Sequence, residues 1–190
     1  MKSVLISIHT QWVNKIVSGK KTIEVRKTAP QEVPFKAYIY CCKAKSKWSL
    51  CDYEGAYANS QGEIVYAQQH IIGEFICNKV DEYPYYYCDG VDIDDDTILE
   101  TAIDREDINI YAKGKTLYGW HISDLKIYDE PRKLSEFYTI DKSGDDCCIA
   151  CVYHETPVEE MPCKTCTGER RYLYRPPQSW QYVGEVEQTI

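Results

Sequence analysis

The sequence predicts an α+β fold, a small mixed β-barrel decorated by short helices. At least six short apolar, β-branched runs are bounded by turn residues. Helical periodicity is confined to a few brief stretches. The 190 residues suffice for one domain with a real core and one small appended module. Seventeen tyrosines, four tryptophans and three phenylalanines argue against wholesale disorder.

Residues 4–8 form a β-branched apolar run and read as the first strand. Thr10 is placed to cap a short helix on which Trp12, Val13, Ile16 and Val17 share a face, and Gly19 ends it. Residues 22–26 alternate: Ile23 and Val25 point one way, Thr22, Glu24 and Arg26 the other. Pro30 and Pro34 bracket a turn before a strand at 37–42. Residues 43–62 are polar and too long for an ordinary connection. Residues 63–80 read as one long strand or two, with Gly73 at a bulge or bend. Residues 94–111 read as helical in two pieces, carried by Ile98, Leu99 and Ala102 and then by Ile108 and Tyr111. Strands follow at 117–122 and 125–128, a short helix at 131–137, an extended loop at 175–180 and a closing strand at 182–186.

The net charge of −8 is unevenly distributed. Residues 1–50 carry ten basic and two acidic side chains, residues 51–110 two basic and fifteen acidic, and the remainder ten and thirteen. An anion feels the local field within about 8–10 Å at physiological salt, so the distribution matters more than the total. The total excludes a wholesale polyanion binder; a small positive cleft on an acidic body is compatible with it. Asp92, Asp94, Asp95 and Asp96 lack the EF-hand pattern and read as solvated charges. No apolar run approaches the ~20 residues of a membrane span. The N-terminal segment lacks a signal-peptide pattern, so the expected location is cytoplasmic.

Ten cysteines with no secretory signal point to a reducing compartment. Cys41, Cys42 and Cys77 lie in strand-like runs and read as core residues. Taking Cys148 from the pair Cys147-Cys148 gives Cys148-x2-Cys151, eleven residues, then Cys163-x2-Cys166. That spacing suits two knuckle turns around a tetrahedral structural zinc ion. Cys147 in place of Cys148, or His154 as fourth ligand, are the variants. The expected organisation is a main domain of residues 1–140 plus 175–190, interrupted by a small cysteine-rich insert at 141–174. Four protein ligands leave no open coordination position, so the metal would fold a segment and take no part in catalysis.

Residues 19–26, GKKTIEVR, run from a helix exit directly into a strand. Lys21 falls at the strand mouth, and Glu24 and Arg26 share a face roughly 7 Å apart. A cation, a carboxylate and a guanidinium so placed make an anion-tolerant pocket with an acid or base at hand; an ion-paired strand face is the plain alternative. The segment fits GxKxxExR and resembles the ASCH family of the PUA-like superfamily. VLISIHTQWVNKIVSG resembles that family's leading strand, helix and glycine, and IIGEF (71–75) and YGWHISDLKIY (118–128) resemble its middle and late strands. The resemblance spans residues 3–140 and 175–187. It implies a PUA-like, barrel-type fold with a cleft beside the motif and a module that binds RNA or a nucleotide-like ligand. One family branch hydrolyses N4-acetylcytidine with a lysine, a threonine and a distant glutamate. Lys21 matches that lysine, Glu24 stands where the threonine would, and Glu100 or Glu106 are the candidates for the glutamate. Ribonuclease activity is also associated with the family.

The expected function is recognition of RNA or a modified nucleoside through Lys20, Lys21, Glu24 and Arg26. The alternative is a hydrolase of acylated cytidine, or a ribonuclease, with Lys21 and Glu24 as acid/base pair; a protein-interaction role is third. A paired Lys21 and Glu24 keep each other charged, which suits binding better than proton transfer. Trp48, following Lys43, Lys45 and Lys47, is a candidate stacking platform for a single strand. Trp120 and His121 are further candidate ligand contacts; as neighbours in a strand, one faces the core and the other the opposite side. Trp180, with Arg175 and Gln178, is a candidate for the cleft rim. Tyr83, Tyr85, Tyr86 and Tyr87 read as edge-strand packing.

Overall fold

The first apolar run forms β1 (Lys2–Ile8) of the computed structural model, which describes residues 1–43, 56–140 and 172–185. α1 (Thr10–Val17), β2 (Ile23–Arg26) and β3 (Phe35–Cys41) follow. The central chain supplies β4 (Ala56–Ala58), β5 (Ile64–Tyr66), β6 (Ile71–Cys77), β7 (Val80–Tyr83), β8 (Tyr85–Tyr86) and β9 (Gly90–Val91). Next come α2 (Asp95–Thr101), α3 (Arg105–Ala112), β10 (Leu117–His121) and β11 (Ser123–Arg132). A 3-10 turn at Leu134–Glu136 leads to β12 (Phe137–Thr139), and β13 is Trp180–Glu185.

The six-stranded sheet has the order β11-β6-β3-β1-β13-β12, with β1 and β3 parallel and the other pairs antiparallel. A second, antiparallel sheet has the order β2-β10-β7, and β4-β5 and β8-β9 are two-stranded ribbons. The α+β balance is as predicted, but the strands lie in separate sheets, and no closed barrel joins them among the described residues. The reason lies at the corners. β6 and β11 belong to the large sheet, whereas their chain neighbours β7 and β10 belong to the small one. The corner is pinned by His121 N–H donating to the Lys79 carbonyl at 3.1 Å and Ile122 N–H to the Thr22 carbonyl at 2.8 Å.

β1 is buried on both faces, which is why it reads as a continuous apolar run. Val4, Ile6 and Ile8 pack with Val13 and Ile16 of α1, Phe35 and Ile39 of β3, Phe75 and Trp120. Leu5 turns the other way, toward Tyr38, Tyr40, Phe137 and Val183. A third cluster joins Val25, Tyr83 and Leu117 of the small sheet to Ile108 and Ala112 of α3.

Local differences from the expected elements have physical causes. His9, not Thr10, is the N-cap of α1, and Thr10 is already helical and buried. The break between the two helical pieces falls where Ala102 adopts a left-handed φ of 54°. Where a helix was expected at 131–137, β11 continues through Arg132, leaving a single 3-10 turn. Gly73 lies inside β6, where a side chain would collide with the Lys126 carbonyl of β11. The register shift between Ile39 and Tyr40 falls beside it. No helix among the described residues is long and apolar enough to cross a membrane.

Candidate functional site

The motif acquires its shape from the exit of α1. Gly19 has a φ of +72°, and the amides of Lys20 and Lys21 both donate to the Lys15 carbonyl, at 2.9 and 3.0 Å. The turn delivers Lys21 to the start of β2 with its side chain directed inward. Lys21, Glu24 and Arg26 are 1%, 5% and 7% exposed. Glu24 is held from both sides: its Oε2 stands 3.3 Å from Lys21 Nζ and its Oε1 3.0 Å from Arg26 Nη2. Arg26 Nη2 also donates to the Ser7 carbonyl at 2.7 Å, and its Nη1 lies 3.5 Å from Ser179 Oγ.

Lys21 has a second role. Its ammonium donates to the Thr101 carbonyl at 2.7 Å, and Lys15 Nζ donates to the Ala102 carbonyl at the same distance. α2 has no basic residue in its last turn, so these two lysines supply the cations that the end of a helix favours. Trp12 lies between them, its ring centroid 4.6 Å from Lys15 Nζ and 5.5 Å from Lys21 Nζ. Burial pulls the Lys21 ammonium below the usual lysine range; Glu24 opposes the shift, while Arg26 and Lys15 reinforce it. Glu24 Oε2 remains without an aligned hydrogen bond despite its ion-pair distance, and Arg26 Nε and Trp120 Nε1 are likewise buried without one.

Strand register extends the same face sideways. Glu24 pairs with Trp120 and Arg26 with Tyr118; across β10, Trp120 pairs with Val80 and Tyr118 with Glu82. Cross-strand partners point to one side of a sheet, so these six side chains share the face on which the motif's charges lie. Trp120 is fully buried, edge-on to Phe35 at 5.0 Å and to Trp180 at 5.6 Å. Where this row approaches the edge strand β7, a cavity of about 350 Å³ opens, lined by Tyr118, Val80 and Glu82 and by residues 27–30 beyond the motif. Trp180 braces the 27–30 segment, its indole N–H donating to Thr28 Oγ1 at 3.0 Å.

Neither a family model nor a curated protein matches the sequence. Comparison of the fold is more informative. Over 95% of this chain and 87% of the other, the structure resembles the crystal structure of ASCH from Zymomonas mobilis, with a TM-score of 0.50 and 15% identity. A crystal structure of a point mutant of that protein matches over 96% of this chain and 90% of the other, again with a TM-score of 0.50 and 15% identity. The fold is that of an ASCH domain. Within this ASCH fold, Lys21, Glu24 and Arg26 are brought together as the spacing predicted, but into a nearly solvent-excluded cluster in place of the lining of an open cleft.

The other candidates disperse. Lys20 is exposed at the turn. Trp120 belongs to the core, and His121 faces the other way, its Nε2 2.7 Å from Asp81 Oδ2. Burial pushes the Asp81 carboxyl up, but hydrogen bonds from His121 and Lys79 hold it, on balance, below the usual range. Trp180 forms a wall behind Thr28. The α2 terminus lies along the motif, with Thr22 N–H donating to the Glu100 carbonyl at 2.9 Å, although the Glu100 side chain is exposed, as is that of Glu106. Trp48 and the cysteines Cys147, Cys148, Cys151, Cys163 and Cys166, with His154, lie outside the described residues. Among the described residues no group of three His, Cys, Asp or Glu side chains is placed to hold a metal ion. Sequence reasoning missed Tyr118, Glu82 and Thr28. Alternation from Trp120 would have put Tyr118 on the motif face, whereas nothing in the sequence marks Thr28.

Proposed function

We propose that this ASCH domain is a recognition module for a nucleoside-like ligand or a short single strand of RNA, taken into the cavity between residues 27–30 and the β7–β10 edge. The observation that carries this reading is a division along one sheet face. Lys21, Glu24 and Arg26 are closed off and neutralise one another. One row further, Tyr118 is half-buried and Glu82 exposed beside a cavity of about 350 Å³. That volume falls within the roughly 300–1,000 Å³ common for ligand pockets. An accessible tyrosine ring is a stacking surface for any base. The motif then frames the site, and the residues that follow it line the site.

The test is equilibrium binding of short single-stranded RNA and of free nucleotides to the full chain at low salt. Tyr118→Ala is expected to weaken binding about tenfold, the loss of one base-stacking contact, measured at a temperature where the variant is still folded. Absence of affinity for RNA and for nucleotides would end the proposal.

The hydrolase reading places proton transfer on Lys21 and Glu24. Burial lowers the proton affinity of Lys21, which favours a base, but its ammonium is committed to Thr101 and Glu24. That reading requires product from acylated cytidine or RNA that Lys21→Ala or Glu24→Ala abolishes. The structural zinc ion on Cys148, Cys151, Cys163 and Cys166 and the insert at 141–174 belong to the same proposal, as a module beside the recognition domain.

A further inference from the structure

Glu82 stands at the cavity as the cross-strand partner of Tyr118. Its side chain is exposed and makes no ion pair or hydrogen bond among the described residues. Glu82 is the one carboxylate among the residues that line the cavity. Thr28 Oγ1 accepts from the Trp180 indole at 3.0 Å, and Lys27 Nζ lies 5.0 Å from the centroid of the Tyr111 ring. Behind the cavity, Glu24 is held by Lys21 and Arg26. Glu82 is therefore the one anionic acceptor placed to meet the polar edge of a base that stacks on Tyr118.

An ionised carboxylate only accepts hydrogen bonds. Base edges differ in how they meet such a group. Guanine offers its N1–H and 2-amino group as two adjacent parallel donors. Adenine and cytosine each offer one amino donor beside a ring nitrogen that accepts, and uracil offers one N–H between two carbonyls. Guanine alone makes a bidentate pair with a carboxylate without setting acceptor against acceptor. An unstacked base in a single strand exposes this edge.

We infer that the cavity selects guanine, with Glu82 reading the N1–H and 2-amino edge and Tyr118 stacking on the ring. The inference rests on the recognition role proposed above, and the experiment separates the two. The full chain is titrated calorimetrically with the 5′-monophosphates of guanosine, adenosine, cytidine, uridine and inosine. The guanosine nucleotide is expected to bind about tenfold more tightly than the adenosine, cytidine or uridine nucleotide, the size of a good bidentate contact. Inosine, which lacks the 2-amino donor, falls between. Glu82→Gln, which replaces two acceptors by one acceptor and one donor, loses the preference for guanine, because its amide matches the amino group and ring nitrogen of adenine or cytosine instead. Tyr118→Ala weakens all of them alike. Equal binding by the parent chain, or a guanine preference that survives Glu82→Gln, overturns the guanine assignment and leaves the recognition role standing. Binding of none of the five overturns the guanine assignment, and if short single-stranded RNA is not bound either, the recognition role falls with it.

Discussion

The Lys21 ammonium donates to the Thr101 carbonyl at 2.7 Å while standing 3.3 Å from the Glu24 carboxylate. One cation thus closes the end of α2, reaching a carbonyl eighty residues away in sequence, and balances the charge on β2. Lys21 is a structural joint, and its burial follows from that duty.

Lys21→Met removes the cation from Glu24 and leaves the Thr101 carbonyl without its donor. Breaking a buried pair from one side costs about 3–5 kcal/mol, and urea unfolding of the variant should show a loss of that order. The double variant Lys21→Met/Glu24→Gln should be less stable than Lys21→Met alone, because Glu24 still pairs with Arg26 at 3.0 Å and its loss leaves that guanidinium buried without a carboxylate. Additive losses would show that the two groups are not coupled.

Gly119 is the second test of packing. A methyl group there would overlap the Tyr83 hydroxyl and the edge of its ring. Tyr83 is itself buried against α3, so the ring has little room to retreat. Gly119→Ala should lower stability by about 1–3 kcal/mol, and by less in a Tyr83→Phe background where the overlapping oxygen is absent. Equal losses in both backgrounds would contradict the contact.

Arg132 predicts an acid dependence. It donates to Glu136 at 2.9 Å and to Glu185 at 2.7 Å. Burial pushes both carboxyls up, but for Glu136 the Lys133 amide and Arg132, and for Glu185 Arg132 and Tyr38, bring them below the usual range on balance. A carboxyl with a depressed folded-state pKa stabilises the fold above its unfolded value of about 4.3 and loses that contribution as pH falls through the folded value. The parent chain should exceed Arg132→Gln in stability at neutral pH, and the two should converge below about pH 4. Denaturation at both pH values checks it.

Elemental analysis addresses the cysteine set. The full chain purified under reducing conditions should carry about one zinc ion, and Cys148→Ser or Cys163→Ser should release it. Retention of stoichiometric zinc by both variants would refute the assigned ligands.

How much of this was legible in the sequence varies with the range of the interaction. The alternation of residues 22–26 put Glu24 and Arg26 on one face, and both lie there. Ala102 separates the two helical pieces that apolar spacing had predicted. These features depend on neighbours a few residues away. The burial of the charged cluster does not. It requires the Ser7 and Thr101 carbonyls, and a backbone acceptor carries no residue code by which a distant lysine or arginine could be matched to it. The closing of the expected cleft at these residues was not legible for that reason, nor was the splitting of the expected barrel into separate sheets, since which strand each corner hands over is decided by pairing across the chain.

The clamping of Lys15, Lys21 and Arg26 onto the carbonyls of Ala102, Thr101 and Ser7 has a kinetic consequence. The basic first third of the chain directs three of its cations inward, where backbone dipoles terminate their field. An approaching polyanion therefore meets fewer accessible cations than the ten basic side chains of residues 1–50 imply. Encounter with a nucleic acid proceeds without the long-range acceleration of a basic surface, so its rate should depend only weakly on salt.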